Sequence, residues 1–467
     1  MTSKLSLDIS HKTLVGDIAS HIRTFHESGR AFRVYHGSTN STRPQRYDGD
    51  AMVDVSALNR VLYVDVEAHT ALVEANVPMD RLVAASMCHG LVPPVVMEFP
   101  GITVGGGLQG GAGESSSFKW GSFNRTINWF DMILADGTLV RCSPHDHADL
   151  YYGSAGAYGS LGVVTQMEIT LQLAAKYVEL ELMPVAGFDG AVEAIKAATA
   201  ANPDYVDGIM YARDRGLIVL GRLTDHLASP VVHHGRAIDN WFYLGVEGAS
   251  FGKAPAKRSM LLADYLFRYD RGAFWTGSYA FARFGVPFNR LTRWLLDPLF
   301  KTRRMYLALD ASGFSQEYVV QDLSLPASKF AEFMRWVDAS CPTYPLWLCP
   351  LRPDTDSRLQ HDYLPTGGII NVGVWGPGPR DHDAFVGLNR AIEAKVTELG
   401  GRKWLYAHVY YTEPEFWQVY DLAWYRTLRA NYGAGSLPTI YDKTHVKIEA
   451  KRPLSAKRGI WRAICGR

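Results

Sequence analysis

The chain has 467 residues and a net charge of +1, with 47% hydrophobic and 20% charged residues. That length exceeds what one hydrophobic core fills, so two or three domains are expected, and a near-neutral balance offers no global field to draw in nucleic acid. Five scattered cysteines with no Cys-x-x-Cys pair carry no zinc or dithiol signature and suit a reducing, cytoplasmic setting. No apolar run reaches the ~18 residues of a spanning helix, and Met1-Thr2-Ser3-Lys4 lacks the apolar core of a signal peptide. A soluble chain, or one lying on a membrane surface, is expected.

In chain order, Ala31–Val34, Met52–Val55, Val61–Val66 and Ala71–Glu74 read as short β-branched strands bounded by turn residues. Pro78 to His89 reads as a helix opened by proline and closed by Gly90. Ile127–Leu134 and Thr138–Cys142 flank Asp136-Gly137 as a hairpin, because Asp-Gly readily takes the positive φ of a tight turn. After Leu173–Lys176 the texture changes. A helix is predicted at Phe188–Ala200, a hairpin at Val206–Ala212 and Leu217–Leu223, and an aromatic, basic stretch of weak periodicity at Val231–Thr302. A strand at Tyr318–Gln321 follows, then a helix with Phe330, Phe333, Met334 and Val337 inward, and strands at Leu346–Cys349 and Ile369–Trp375. A helix near Asp383–Leu399, a strand at Trp404–Tyr411 and a helix from Glu415 to Tyr432 complete the reading, with no internal repeat. The pattern is α+β: one domain over 1–175, a capping layer over 176–435, and a return to the first domain with a basic tail over 436–467.

The most informative stretch runs from Pro100 through Gly113 to Ser117. Seven glycines among its first fourteen residues exclude a side-chain-packed element and bring the backbone close to something else. Such a segment is a natural cradle for phosphate or a flat polar ring. Gly105 to Gly110 also fits the dinucleotide pattern G-x-G-x-x-G literally, but Glu98-Phe99-Pro100-Gly101 precedes it and further glycines interrupt any helix, so the match is read as a decoy. No Gly-Lys-Ser/Thr follows, which excludes a Walker loop. Two more loops share the character: His36-Gly37-Ser38-Thr39-Asn40-Ser41-Thr42 after a strand, and Asp149 to Gly162 ahead of the strand that includes Val163.

These three pieces, in this order, resemble the PCMH-type FAD-binding domain of the vanillyl-alcohol-oxidase superfamily. Gly110–Gly121, Val319-Val-Gln-Asp322, Pro345–Pro350 and the stretch from Leu405 to Trp417 further resemble the sterol side-chain (Δ24) reductase family, also called diminuto or seladin. The resemblance runs from about Phe25 to Lys443. It implies FAD bound by His36, Gly37, Ser38, Thr39 and Asn40, by Thr103, Val104, Gly105, Gly106, Gly107, Gly110, Gly111, Gly113, Glu114 and Ser115, and by Gly159, Gly162 and Val163, under a ferredoxin-like α+β cap. The implied activity is reduction of an isolated C=C bond of a lipid, a sterol side chain or a methylene-branched acyl chain, with NADPH or NADH as a transient electron donor. Against the animal and plant members, the sequence is expected to lack their N-terminal membrane anchor and to extend past their usual end in its basic tail. A lipid oxidase or desaturating dehydrogenase, and a non-enzymatic flavin- or lipid-binding protein, are the alternatives.

Alkene reduction needs a proton donor as well as a hydride. Glu114, a carboxyl in a buried glycine loop, should have a raised pKa and suits a general acid. His408, Tyr410 and Tyr411 lie on the predicted strand, where alternation puts His408 and Tyr410 on one face and Tyr411 on the other. Lys119 is a candidate for a phosphate or a carboxylate, and His36 for a flavin attachment, with noncovalent FAD preferred. His145-Asp-His147 reads as a polar turn, not a metal site. The tail from Lys451 to Arg467 is basic, without an acidic residue, and interleaved with Leu454, Ile460, Trp461 and Ile464; with the similar stretch Arg290–Arg304 it predicts reversible contact with anionic membrane.

Overall fold

The computed structural model describes residues 4–37, 47–446 and 455–465. In the first unit, five antiparallel strands stand in the order Val61–Asp65, Thr70–Glu74, Val163–Thr170, Ile127–Ile133, Leu139–Cys142. Gly137 turns the last hairpin at φ +86°. A Cβ there would lie 2.8 Å from the Ala19 carbonyl, because the helix Lys4–Glu27 crosses over the turn. No element is predicted there from the sequence, although the buried Val15, Ile18, Ala19 and Ile22 recur at helical spacing.

The five-stranded sheet ends at Thr170, and Tyr177 opens an eight-stranded sheet in which every pairing is antiparallel. Two β-α-β-β units build most of it. Tyr177–Val185, helix Gly187–Ala200, Tyr205–Ala212 and Arg215–Thr224 form one; Tyr318–Pro326, helix Phe330–Ser340, Leu346–Leu351 and Ile369–Pro377 form the other. In each unit the third strand lies between the first two, and the units meet where Tyr205–Ala212 pairs with Leu346–Leu351. A repeat of topology thus exists where no repeat of sequence is visible, because only the alternation of apolar positions is shared and not the residues themselves. These helices and a third, His382–Glu398, cover one face through Phe188, Phe333, Val337, Phe385 and Ile392. The opposite face, carrying Asp322, Trp347 and Trp375, looks toward the first unit.

Two predicted elements differ. Trp404–Tyr411 is not a strand: only Arg402–Lys403 pairs with the sheet. Trp404 N still bonds the Asp322 carbonyl of the edge strand, but beyond it the chain leaves the sheet, and Val409 N bonds the Thr444 carbonyl instead. The predicted helix from Glu415 to Tyr432 is two helices, Glu413–Val419 and Leu422–Asn431, broken where Asp421 caps the second through Trp424 N. That second helix packs on Gly153, so the chain returns to the first unit before residue 436.

Candidate active site

A cavity of about 830 Å³ separates the two sheets, within the size range of ligand sites. Its first-unit wall is backbone. Thr103 caps the helix Val104–Gly110, its hydroxyl accepting from Gly106 N at 3.1 Å, and Gly111 ends it in the left-handed conformation. Its glycine density predicts no helix in this segment. The helix forms because the cap and the left-handed terminator sit at its two ends, while its glycines allow close approach: a Cβ on Gly105 would lie 2.7 Å from the Ala75 carbonyl. No strand leads into it and its sheet is antiparallel, so the G-x-G-x-x-G match stands outside a βαβ unit.

The predicted cofactor residues separate into three groups. His36, Thr103, Gly105, Gly106, Gly110, Gly111, Gly113, Glu114, Gly159, Gly162 and Val163 line the cavity. Val104, Gly107, Ser115 and Gly37 do not, and are corrections. Val104 is fully buried, Gly107 makes room for Met97 and Phe123, the Ser115 carbonyl accepts from Val206 N, and Gly37 is exposed beside Ser56 and Tyr35. Ser38, Thr39 and Asn40 lie outside the described residues. Lys443 adds a cation close to Gly159, and its charge, after burial, helps push His36 down to about 4, leaving that imidazole neutral. Lys119 is not at the cavity wall; it pairs with Asp204 at 3.0 Å.

Between the glycine wall and the cap sheet lies a group of buried acids. Glu114 and Glu98 hydrogen-bond carboxyl to carboxyl. Burial pushes Glu98 up to about 7 against the opposing pull of Arg268, while burial and the neighbouring Glu98 hold Glu114 well above the usual carboxylate range. Arg268 donates to Glu98 at 2.8 Å and to Asp207 at 2.9 Å, and Asp207 also accepts from Tyr269 at 2.7 Å and Trp347 at 3.2 Å. Across the cavity, Asp322 accepts from Tyr406 and from Asn371 at 2.8 Å, while burial raises it to about 7. Trp375 Nε1 donates to the Tyr406 hydroxyl at 3.3 Å.

Three predicted catalytic residues are elsewhere. With the strand gone, Tyr410 is buried against the cap helices, and the Tyr411 hydroxyl meets Thr397 and donates to the Glu393 carbonyl. His408 lines a minor recess with Tyr410, away from the glycines. Glu98, Arg268, Asp322 and Tyr406 are not among the catalytic residues predicted from the sequence. Arg268 and Tyr269, charged and aromatic in an unpatterned stretch, are the available signal.

The far arm is apolar, walled by Phe281, Leu299, Phe300, Met305 and Leu309. Ile460 and Ala463 of the helix Ala456–Cys465 complete it. The C-terminal segment is therefore a wall of the cavity, and the rest of the basic tail, 447–454 and 466–467, lies outside the described residues.

A site that combines a glycine floor, a lysine near a neutral histidine and an apolar arm fits a dinucleotide joined to a flat ring. Asn76 Oδ1 and Trp404 Nε1, both buried on lining residues, find no partner among the described residues, so a polar ligand would satisfy them. A Cβ at Gly110 would meet nothing nearer than 3.8 Å and would fill the cradle instead.

Residues 13–143 match the family model for an FAD binding domain. The chain is 28% identical to the Delta(24)-sterol reductases of Mus musculus and Homo sapiens over 93% of its own length and 86% of theirs. It is also 28% identical to that of Pisum sativum, over 84% of its length and 76% of the plant protein. The chain is an FAD-dependent oxidoreductase homologous to the Delta(24)-sterol reductases. The oxidoreductase has, among its described residues, no helix long and apolar enough to cross a membrane.

Proposed function

We propose that this oxidoreductase reduces an isolated C=C bond in a lipid, a sterol side chain or a methylene-branched acyl chain, with NAD(P)H as the source of electrons. The observation that carries the reading is the Glu98–Glu114 pair, placed where the glycine wall meets the apolar arm. FAD bound along the glycines supplies hydride chemistry.

The protein's own groups do the rest. The apolar arm takes up the hydrocarbon, and its burial makes every charge at the junction costly. Two carboxyls in contact cannot both ionise there, so the pair retains a proton through neutral pH. Arg268 favours the anion on Glu98, which leaves that proton on Glu114, the donor to the alkene carbon that does not receive hydride. Asp322 and Tyr406 form a second reservoir on the opposite wall.

Anaerobic titration tests the reading. NADPH should bleach the yellow protein, and a lipid bearing a side-chain alkene should restore the colour. Bleaching by a saturated lipid would instead favour the oxidase or dehydrogenase reading. Retention of FAD with no response to any donor would make the protein a flavin carrier.

A further inference from the structure

Two helices wall the apolar arm from outside. The short helix Arg290–Leu296 sends Leu296 to the cavity, and the C-terminal helix Ala456–Cys465 sends Ile460 and Ala463 there. They are tied together. Arg290–Leu296 leads through the turn Asp297–Leu299 into the helix Thr302–Ser312, whose Arg304 donates to the carbonyls of Ala463 and Ile464 at 2.6 and 2.8 Å. Gly459 permits this packing, since a Cβ there would lie 2.9 Å from the Ala308 carbonyl.

The outer faces of both helices are apolar where solvent would select polar residues. Leu291 is 62% exposed, Leu295 59%, Trp461 68% and Ile464 55%, with Trp294 beside them at 48%. Phe284 and Ile460 both line the cavity and are exposed, so the arm reaches the surface at this patch. Arg290, Lys301, Lys457, Arg458 and Arg462 are exposed around it, and neither helix contains an acidic residue. Apolar patches of this kind mark an interaction site. Exposed tryptophans within a basic collar match an anionic bilayer surface, where rings sit at the headgroup level and cations meet phosphate.

We propose that these two helices dock the enzyme on anionic membrane, with the mouth of the apolar arm against the lipid. The enzyme then draws an insoluble substrate directly from the bilayer. The inference goes beyond the alkene-reduction reading, because it rests on the surface and not on the chemistry inside.

The test is co-sedimentation of the full-length, FAD-loaded chain with vesicles of phosphatidylcholine alone or mixed with phosphatidylserine. Trp294→Ser with Leu295→Ser, and Trp461→Ser with Ile464→Ser, change outward side chains that do not line the cavity. Binding should require phosphatidylserine, weaken in high salt, and fall about tenfold or more in each double variant. FAD content and turnover of a detergent-dispersed substrate should be unchanged. Equal binding by the variants, or no binding by the parent, would overturn the proposal. So would a dimer dispersed by the same substitutions, which would make the patch a contact between two copies. Phosphatidylserine-dependent binding by the parent that falls in both variants, with no turnover of any alkene by the parent, would count against the catalytic reading alone.

Discussion

Glu98 and Glu114 stand at opposite ends of the glycine-rich segment and meet carboxyl to carboxyl at the cavity. The chain between them leaves and returns, so the segment that shapes the cofactor wall also delivers both acids to one point. Arg268 from the cap makes the pair unequal.

Replacing Glu114 by Gln should leave FAD bound, because a carboxamide still hydrogen-bonds, and should slow alkene reduction by about 10²–10⁴-fold. Reduction of the flavin by NADPH should be little changed. Stopped-flow mixing of the reduced variant with substrate checks this. A normal rate would move the proton donor to Asp322 and Tyr406.

Gly110 and Gly107 separate cofactor space from packing space. Gly110→Val points into the cavity and should cost FAD with little loss of fold. Gly107→Val would drive its Cβ to 2.7 Å from Met97 and 2.9 Å from Phe123, overpacking a core at a typical cost of about 1–3 kcal/mol. Flavin absorbance and melting temperature, measured together, should distinguish the two variants. Matching losses in both would contradict the assignment.

Asp322 should make stability depend on pH. Its folded value of about 7 lies above the ordinary aspartate value, so the folded state holds a proton that the unfolded chain releases near about 4. That stabilisation is complete below about pH 4, declines as pH rises, and is gone above about pH 7, at no more than about 1.4 kcal/mol per unit. Asp322→Asn should flatten the fall in melting temperature between about pH 4 and pH 7. Some slope should remain, because Glu98 also titrates near 7. Unchanged slopes would show that Asp322 stays ionised when folded.

Gly459→Val should release the C-terminal helix, since its Cβ would press on the Ala308 carbonyl and Ser312. Faster proteolysis near residue 455 and weaker uptake of an apolar probe should follow. Parent-like protection would mean that the helix is not held by this contact.

The first-unit strands are legible because each is a short β-branched run closed by turn residues, as Asp136-Gly137 shows. The glycine wall is legible from density alone, yet which glycines serve the cavity is not. Gly107 and Gly110 look alike in sequence and differ only in what stands opposite them. Glu98, Asp322 and Tyr406 come from separate segments and carry no periodic signal; only the facing of the two sheets unites them. Tyr410 and Tyr411 mislead because an apolar, aromatic run reads as a strand, while the chain leaves the sheet edge after Trp404 and Val409 bonds Thr444 instead.

The most direct test mixes anaerobically reduced enzyme with a sterol bearing a side-chain alkene and follows flavin absorbance alongside product mass. Recovery of oxidised flavin in step with one saturated product per FAD is predicted. A flavin that stays reduced in the presence of every lipid alkene, or that is reduced by the saturated sterol instead, would contradict the account.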